Sequence, residues 1–288
     1  MALLGSGPLL GPAQIRDLAA GLDLQPTKKL GQNFVVDGNT VRKIVRTAGV
    51  SAGDQVLEVG PGLGSLTLGL LEAGARVVAV EIDGRLAGQL PATVSELQPG
   101  AQLTVLHEDA LRVDAAQLAA LDASPTRLVA NLPYNVSVPV ILHLLETVPT
   151  LQTALVMVQA EVGQRIAAPP GSKVYGSPSA KAAWYGRWST AGTVSRQVFW
   201  PVPNVDSILV AFERAAELPG TEAERAATFG LIDAAFGQRR KMLRQALSDK
   251  LGGSAVASTQ LEAAGLDPTA RGEQLGVADF LALARVIG

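Results

Sequence analysis

Asn131-Leu132-Pro133-Tyr134 stands directly after the apolar run Arg127-Leu128-Val129-Ala130, at what reads as the exit of a buried strand. In an open α/β sheet, ligands bind outside the carboxyl ends of the strands. An Asn at such an end offers its side-chain carbonyl to an amino group. Pro133 fixes its own φ and disfavours α geometry at Leu132, which leaves Leu132 extended with a carbonyl free to face a cleft. Tyr134 supplies a flat ring for a planar base. Two acceptors and a stacking ring suit an exocyclic amine on a heterocycle, and adenine N6 is the leading candidate. The bland alternative is an Asx-Pro turn with a half-buried Tyr, and the tetrapeptide alone divides evenly between the two.

A second set of residues moves that balance. Leu57-Glu58-Val59-Gly60-Pro61-Gly62-Leu63-Gly64-Ser65 follows a strand pattern and opens a helix. Glycines let backbone approach a ligand closely, and a helix N-terminus favours an anionic group. Gly60 and Gly62 fit the dinucleotide fingerprint, whereas Ser65 holds its third position. Glu81 ends the next strand roughly 20 residues on, where an acid can hold both ribose hydroxyls. Asp109 ends the third strand, within reach of an adenine amine. Singly, Glu81 and Asp109 read as helix caps or solvated turns. With Asn131 and the Gly turn on one sheet edge, the set predicts a nucleoside pocket. The residues after 214 offer nothing for hydride chemistry, so S-adenosylmethionine fits better than a nicotinamide cofactor.

The elements that must position these residues alternate from Asp54 onward. Strands are predicted at Gln55–Val59, Arg76–Val80, Leu103–Leu106, Arg127–Ala130 and Ala154–Val158. Helices are predicted at Leu63–Leu71, from Arg85, and at Ala115–Leu121, Val138–Glu146 and Glu161–Ala167, with Pro12–Leu22 and Asn39–Ala48 ahead of them. Continuous apolar strands separated by helices mean a mostly parallel sheet covered on both faces, an α/β Rossmann-like fold. Thr193–Val198 and Ser207–Phe212 predict an antiparallel edge hairpin with a stiff loop over Phe199–Asp206. Helical periodicity then runs from Glu222 to Lys250, with further turns at Ser258–Ala264 and Val277–Val286. These patterns divide the chain into an N-terminal extension (1–27), a sheet domain (28–215) and a small all-helical domain (216–288).

The 288 residues are 48% hydrophobic and 17% charged, enough apolar content for a sizeable core. There is no Cys and only His107 and His143, which excludes disulfides and thiolate sites and predicts no metal centre. The formal net charge of −2 gives no bulk cationic field, so any RNA surface must come from local clusters. Two stand out: Lys28, Lys29, Arg42, Lys43 and Arg46, and then Arg239, Arg240, Lys241 and Arg244 on a predicted helix. Each is a solvated face in the plain reading and a phosphate grip in the sharper one. MALLGSGPLLGPAQ has no basic n-region, and no apolar run reaches membrane-spanning length, which predicts a soluble, cytoplasmic protein.

Taken in order, Lys29-Leu30-Gly31-Gln32-Asn33-Phe34, Glu58-Val59-Gly60-Pro61-Gly62-Leu63-Gly64, Val80-Glu81-Ile82-Asp83 and Glu108-Asp109-Ala110 carry a resemblance. So do Asn131-Leu132-Pro133-Tyr134-Asn135, Pro203-Asn204-Val205-Asp206-Ser207 and Phe236-Gly237-Gln238-Arg239-Arg240-Lys241. The chain resembles the ribosomal RNA adenine dimethyltransferases, which form N6,N6-dimethyladenosine in small-subunit RNA. The resemblance implies that Gln32, Asn33 and Val35 close over S-adenosylmethionine. Gly60 and Gly62 would face its methionine part, Glu81 and Ile82 the ribose side, and Asp109 and Ala110 the adenine. Asn131 would sit between cofactor and target base, with Leu132 and Pro133 shaping the acceptor pair and Tyr134 and Phe199 sandwiching the adenine. The two basic clusters would bind small-subunit ribosomal RNA within a pre-ribosomal particle, the protein acting as a monomer. Pro178 departs from the family's usual apolar residue and is expected to stiffen its loop. A large-subunit adenine methyltransferase and a non-catalytic assembly factor on the same fold remain as rivals.

Overall fold

The computed structural model describes residues 9–24 and 33–288; Lys28, Lys29 and Gln32 lie outside the described residues. The chain divides into two compact units, one of residues up to Gly163 together with Ser189–Glu213, the other of Gln164–Trp188 and Arg214–Gly288.

In the first unit α1 (Pro12–Gly21), β1 (Phe34–Val35) and α2 (Gly38–Thr47) precede the alternation. It then runs β2 (Gln55–Val59), α3 (Ser65–Glu72), β3 (Arg76–Glu81), α4 (Gly84–Leu97), β4 (Leu103–His107), α5 (Ala115–Ala119), β5 (Arg127–Asn131), α6 (Ser137–Thr147), β6 (Thr153–Gln159) and α7 (Ala160–Ile166). β7 (Gly186–Val194), β8 (Phe199–Trp200) and β9 (Ser207–Arg214) follow. Local chemistry starts several helices. The carboxylates of Asp37, Asp83 and Asp114 accept from backbone N–H groups of α2, α4 and α5, meeting donors that a first turn leaves unpaired. On α2, Val41, Ile44 and Val45 face the core while Arg42, Lys43 and Arg46 face solvent.

Seven strands form one sheet in the order β4-β3-β2-β5-β6-β9-β7. β2 pairs in parallel with both β3 and β5, and β9 runs antiparallel to β6. The chain leaves β2 in one direction through β3 and β4, then returns to build β5 and β6 on the other side. That reversal is the switch point at which an open α/β sheet leaves a crevice. β1 and β8 form a separate two-stranded ribbon, with Phe34 opposite Trp200 and Val35 opposite Phe199.

Three expectations are corrected. The strand expected at Thr193–Val198 lies earlier, as β7, and Arg196–Val198 is a 3₁₀ turn capped by Ser195 Oγ. Phe199 and Trp200, in the connection between the neighbouring edge strands β7 and β9, pair with β1 as a short strand of their own. The helical run expected over Glu222–Lys250 breaks into α9 (Glu222–Gly237), α10 (Leu243–Ala246) and α11 (Ser248–Leu251), with α8 (Ser177–Ala182) ahead of them. Arg239, Arg240 and Lys241 thus occupy a turn between helices, and only Arg244 is helical. Pro178 stiffens no loop: it sits in the first turn of α8, where its missing N–H costs nothing.

α12 (Ser254–Ala263) and α13 (Val277–Ile287) complete the second unit. Its core joins Leu231, Ile232, Leu243, Leu261, Phe280 and Leu283 to Tyr175 and Ala180. The Tyr175 hydroxyl also donates to Leu275 O at 2.9 Å, so Gln164–Trp188 folds with residues far along the chain.

Candidate active site

A cavity of ≈ 220 Å³ lies at the carboxyl ends of β2, β3, β4 and β5. Asn33, Val35, Gly60, Gly62, Glu81, Ile82, Asp109, Ala110, Asn131 and Pro133 all line it. The turn after β2 has positive φ at Gly60 (67°), Gly62 (59°) and Gly64 (98°), a region that side chains rarely tolerate. At Gly62 space forbids a side chain as well, since a Cβ would come within 2.7 Å of the Phe34 ring.

Glu81 ends β3 almost wholly buried. Its Oε2 accepts from the Gly62 N–H (3.2 Å) and its Oε1 from the Asp83 N–H (2.9 Å). Burial pushes its carboxyl above the ordinary range, opposed by those backbone bonds. Asp109 turns its Oδ1 to the Leu111 N–H (2.9 Å), and its own N–H donates to Glu108 Oε1 (2.8 Å). Both carboxylates are therefore tied to the backbone that presents them, which fixes their orientation without a cation.

At the end of β5, Asn131 Nδ2 donates to Asn33 O at 3.0 Å. This bond uses the donor half of the amide and leaves Oδ1 as its acceptor. It also ties the fourth strand's end to the β1 ribbon. The Leu132 N–H donates to Met157 O, while the Leu132 carbonyl oxygen accepts no hydrogen bond among the described residues. Tyr134 is half-buried, and its hydroxyl shares a hydrogen bond with Ser207 Oγ at 2.8 Å. Desolvation raises the pKa of that phenol above its usual value. Phe199 is 2% exposed and belongs to the hydrophobic core around Phe34 and Leu63. Phe34 and Trp200 stack beside it with centroids 6.3 Å apart.

The basic residues divide. Arg42 is committed to Glu72 in a paired contact (3.0 Å for both bonds), whereas Lys43 and Arg46 are exposed with no ion pair among the described residues. Arg239 bonds Glu273 (2.8 Å) and Lys173 O (2.8 Å), whereas Arg240 and Lys241 are exposed with no such partner among the described residues. Arg244 is half-buried near Asp267.

Several lining residues were not anticipated: Glu58, Ser65, Glu108, Leu111 and Asn135. Glu58 is buried at 1% exposure and accepts from Thr67 Oγ1 at 2.6 Å. Burial first, and Glu81 nearby, push its carboxyl to about 8. An acid inside an otherwise apolar strand was the available signal. Ser65 keeps a buried hydroxyl with no hydrogen-bond partner among the described residues.

A Gly turn at the switch point, a buried acid on the next strand, an acid after the third and an amide on the fourth define a nucleoside-cofactor site. With the strand order above, this is the arrangement of a Rossmann-like methyltransferase. The orphaned Ser65 hydroxyl, the oriented Glu81 and Asp109 and the unobstructed turn fit S-adenosylmethionine. The chain matches the ribosomal RNA adenine dimethylase family over residues 24–287 and belongs to it. It is 69% identical over 278 residues to the "Ribosomal RNA small subunit methyltransferase A" of Leifsonia xyli, covering 96% of this chain and 98% of that one. To the protein of the same description from Streptomyces avermitilis it is 56% identical, with 96% and 93% covered. Among solved structures it is similar to the 23S rRNA methyltransferase ErmE (25% identity, TM-score 0.63, 88% of this chain and 98% of that one). The fold also matches a dimethyladenosine transferase from Plasmodium falciparum at 24% identity (TM-score 0.71, 86% and 94% covered). The protein is an S-adenosylmethionine-dependent rRNA adenine dimethyltransferase. No helix among the described residues is long and apolar enough to cross a membrane.

Proposed function

We propose that the enzyme N6,N6-dimethylates adenosines near the 3′ end of small-subunit (16S) ribosomal RNA. It does so in the cytoplasm, as a monomer, on a pre-ribosomal particle. The preference for the small subunit is supported by identity: 69% to a small-subunit relative against 25% to ErmE, described as a 23S rRNA methyltransferase.

The observation that carries the chemistry is the pair of acceptors at the end of β5. Adenine N6 is a poor nucleophile because its lone pair is delocalised into the ring. Asn131 Oδ1 and the Leu132 carbonyl accept the two N6 hydrogens and favour a pyramidal nitrogen. Asn131 is held for this by Asn33 O, and Leu132 by its own N–H on Met157 O. When bound, S-adenosylmethionine supplies an electrophilic methyl group on a sulfonium. As positive charge develops on N6, the same two carbonyl dipoles stabilise it, and the proton leaves to water. The chain's contribution is positioning and a preset electrostatic environment. Tyr134 stacks on the adenine, its hydroxyl anchored on Ser207. Phe199 closes the other face, which requires its buried ring to leave the core packing on substrate entry. Glu81 holds the ribose hydroxyls and Asp109 the cofactor's adenine amine. Gln32, Asn33 and Val35 close over the cofactor. Lys43, Arg46, Arg240 and Lys241 supply phosphate contacts, joined by Lys28, Lys29 and Arg244 and, where their ion pairs open, by Arg42 and Arg239.

The test is transfer of labelled methyl to small ribosomal subunits that lack adenine dimethylation, with large-subunit RNA in parallel. Label is expected in small-subunit adenines, with a loss on the order of 10²–10³ in rate for Asn131→Ala and cofactor affinity kept within about tenfold. Label in large-subunit RNA alone would assign the enzyme to the other substrate. Cofactor binding without transfer would make it an assembly factor.

A further inference from the structure

The β1–β8 ribbon borders the cofactor cavity with one strand and carries Phe199 on the other. Asn33, Phe34 and Val35 line the cavity. Val35 lies opposite Phe199 and Phe34 opposite Trp200, and the Val36 N–H donates to Val198 O at 2.8 Å. Phe199, the proposed partner of the target adenine, is 2% exposed and packs in the core with Phe34 and Leu63. Its ring cannot meet a base while it stays there. Its backbone cannot shift without breaking the pairing to β1 or carrying β1 along.

Three further contacts tie β1 to its surroundings. The Phe34 ring stacks on Trp200 with centroids 6.3 Å and planes 26° apart. The same ring lies so close to Gly62 that a Cβ there would come within 2.7 Å of it. Asn33 O accepts from Asn131 Nδ2 at 3.0 Å, on the amide proposed to face the target amine. Trp200 is thus a side-chain link between the strand that carries Phe199 and the strand that borders the cofactor. A ribbon of two strands, each of two residues, is marginal by itself and takes its position from what packs on it. A ligand in the cavity adds contacts to β1, and a base against Phe199 adds contacts to β8. The cost of fixing the ribbon then falls on whichever ligand binds first, and the second is spared it.

We propose that the β1–β8 ribbon couples cofactor binding to the seating of the target adenine, with Trp200 as the positioning residue that transmits the coupling through Phe34. Each ligand raises the affinity for the other by the same factor, as linkage requires. The target base is therefore held best when a methyl donor already lies against β1.

The inference rests on the proposed role of Phe199 and on small-subunit RNA as substrate, and equilibrium dialysis with labelled S-adenosylhomocysteine keeps these apart. Kd for this ligand, which has no methyl to transfer, is measured alone and with saturating small ribosomal subunits that lack adenine dimethylation. In the parent enzyme the subunits are expected to lower Kd about tenfold, within the usual range of coupling between two sites. In Trp200→Ala the ratio of the two Kd values should fall to within about twofold of one, while Trp200→Phe keeps the parent's ratio. A residue that only shaped the fold would move both affinities and leave their ratio. A ratio near one in the parent, with both ligands bound, would overturn the proposal, and so would a ratio of the opposite sense. The parent's ratio retained in Trp200→Ala would also overturn it, by assigning the coupling to direct contact across Asn131. Should Trp200→Ala not fold, Trp200→Leu is read by the same ratio with the same criteria. A parent enzyme that binds no S-adenosylhomocysteine, or no small subunits, would sink the cofactor or the substrate reading respectively, and this inference with it.

Discussion

Glu58 and Glu81 share the first unit's cavity, yet their backbone ties differ. Glu81 has two N–H donors and Glu58 a single hydroxyl, so burial dominates more completely at Glu58. The consequence is a pH effect on stability with a definite sign. Below about 4.5 the Glu58 carboxyl is protonated whether the chain is folded or not. Between about 4.5 and about 8 only the folded chain keeps the proton, so stability falls as pH rises through that window. Glu58→Gln keeps an acceptor for Thr67 Oγ1 and abolishes the titration. Its thermal midpoint should exceed that of the parent by more at about pH 8.5 than at about pH 5, a gap worth on the order of a few kcal/mol. Equal midpoint differences at the two pH values would contradict the buried, protonated acid. At this scale the sequence was informative where a polar residue closed an apolar strand, as at Glu81 and Asn131. It was mute about the orphaned Ser65 hydroxyl, because satisfaction of a buried group depends on neighbours that only packing supplies.

The elements explain why the Gly turn and the β1 ribbon must be considered together. Phe34 of β1 lies against Gly62, and its ring stacks on Trp200 of β8. Val36 N–H donates to Val198 O, extending the ribbon by one more bond. Asn33, one residue before the ribbon, then meets Asn131. A side chain on Gly62 therefore strains the turn at φ 59° and pushes Phe34 away. Gly62→Ala is expected to cost about 2 kcal/mol or more by urea unfolding, from left-handed strain and overpacking together. It should also weaken S-adenosylhomocysteine binding. Unchanged stability and affinity would mean that the ribbon yields freely. Sequence periodicity located every strand of the parallel sheet to within two residues, since each is a continuous apolar run. It failed over residues 193–200 because a two-residue strand has no periodicity to detect. Pairing of Phe199 and Trp200 with β1 depends on contacts between segments more than 160 positions apart in the chain.

For the whole molecule, net charge of −2 means that RNA binding must be local and sensitive to salt. Not every cation in the two clusters is equally available. Arg42 and Arg239 are held in ion pairs with Glu72 and Glu273, while Arg240 and Lys241 are exposed and unpaired among the described residues. Replacing Arg240 and Lys241 by Glu should weaken binding to small-subunit RNA and flatten the dependence of log K on log salt. The expected change is about one unit of slope per lost phosphate contact. Arg42→Gln should change the slope less. A larger effect from Arg42 would reverse this ranking of the clusters.

The order of chemical signals along the chain, Gly turn, Glu81, Asp109 and Asn131, was fixed by sequence alone. Strand-end position follows from local apolar runs, and parallel strands bring their carboxyl ends to one edge by topology. Tertiary structure alone decided the rest. It moved Gln164–Trp188 into the helical unit, because Tyr175 is satisfied only by Leu275 and the core around it. It buried Phe199, engaged Arg42 and Arg239, and left the Ser65 hydroxyl without a partner among the described residues, because burial and hydrogen-bond satisfaction are set by residues distant in the chain.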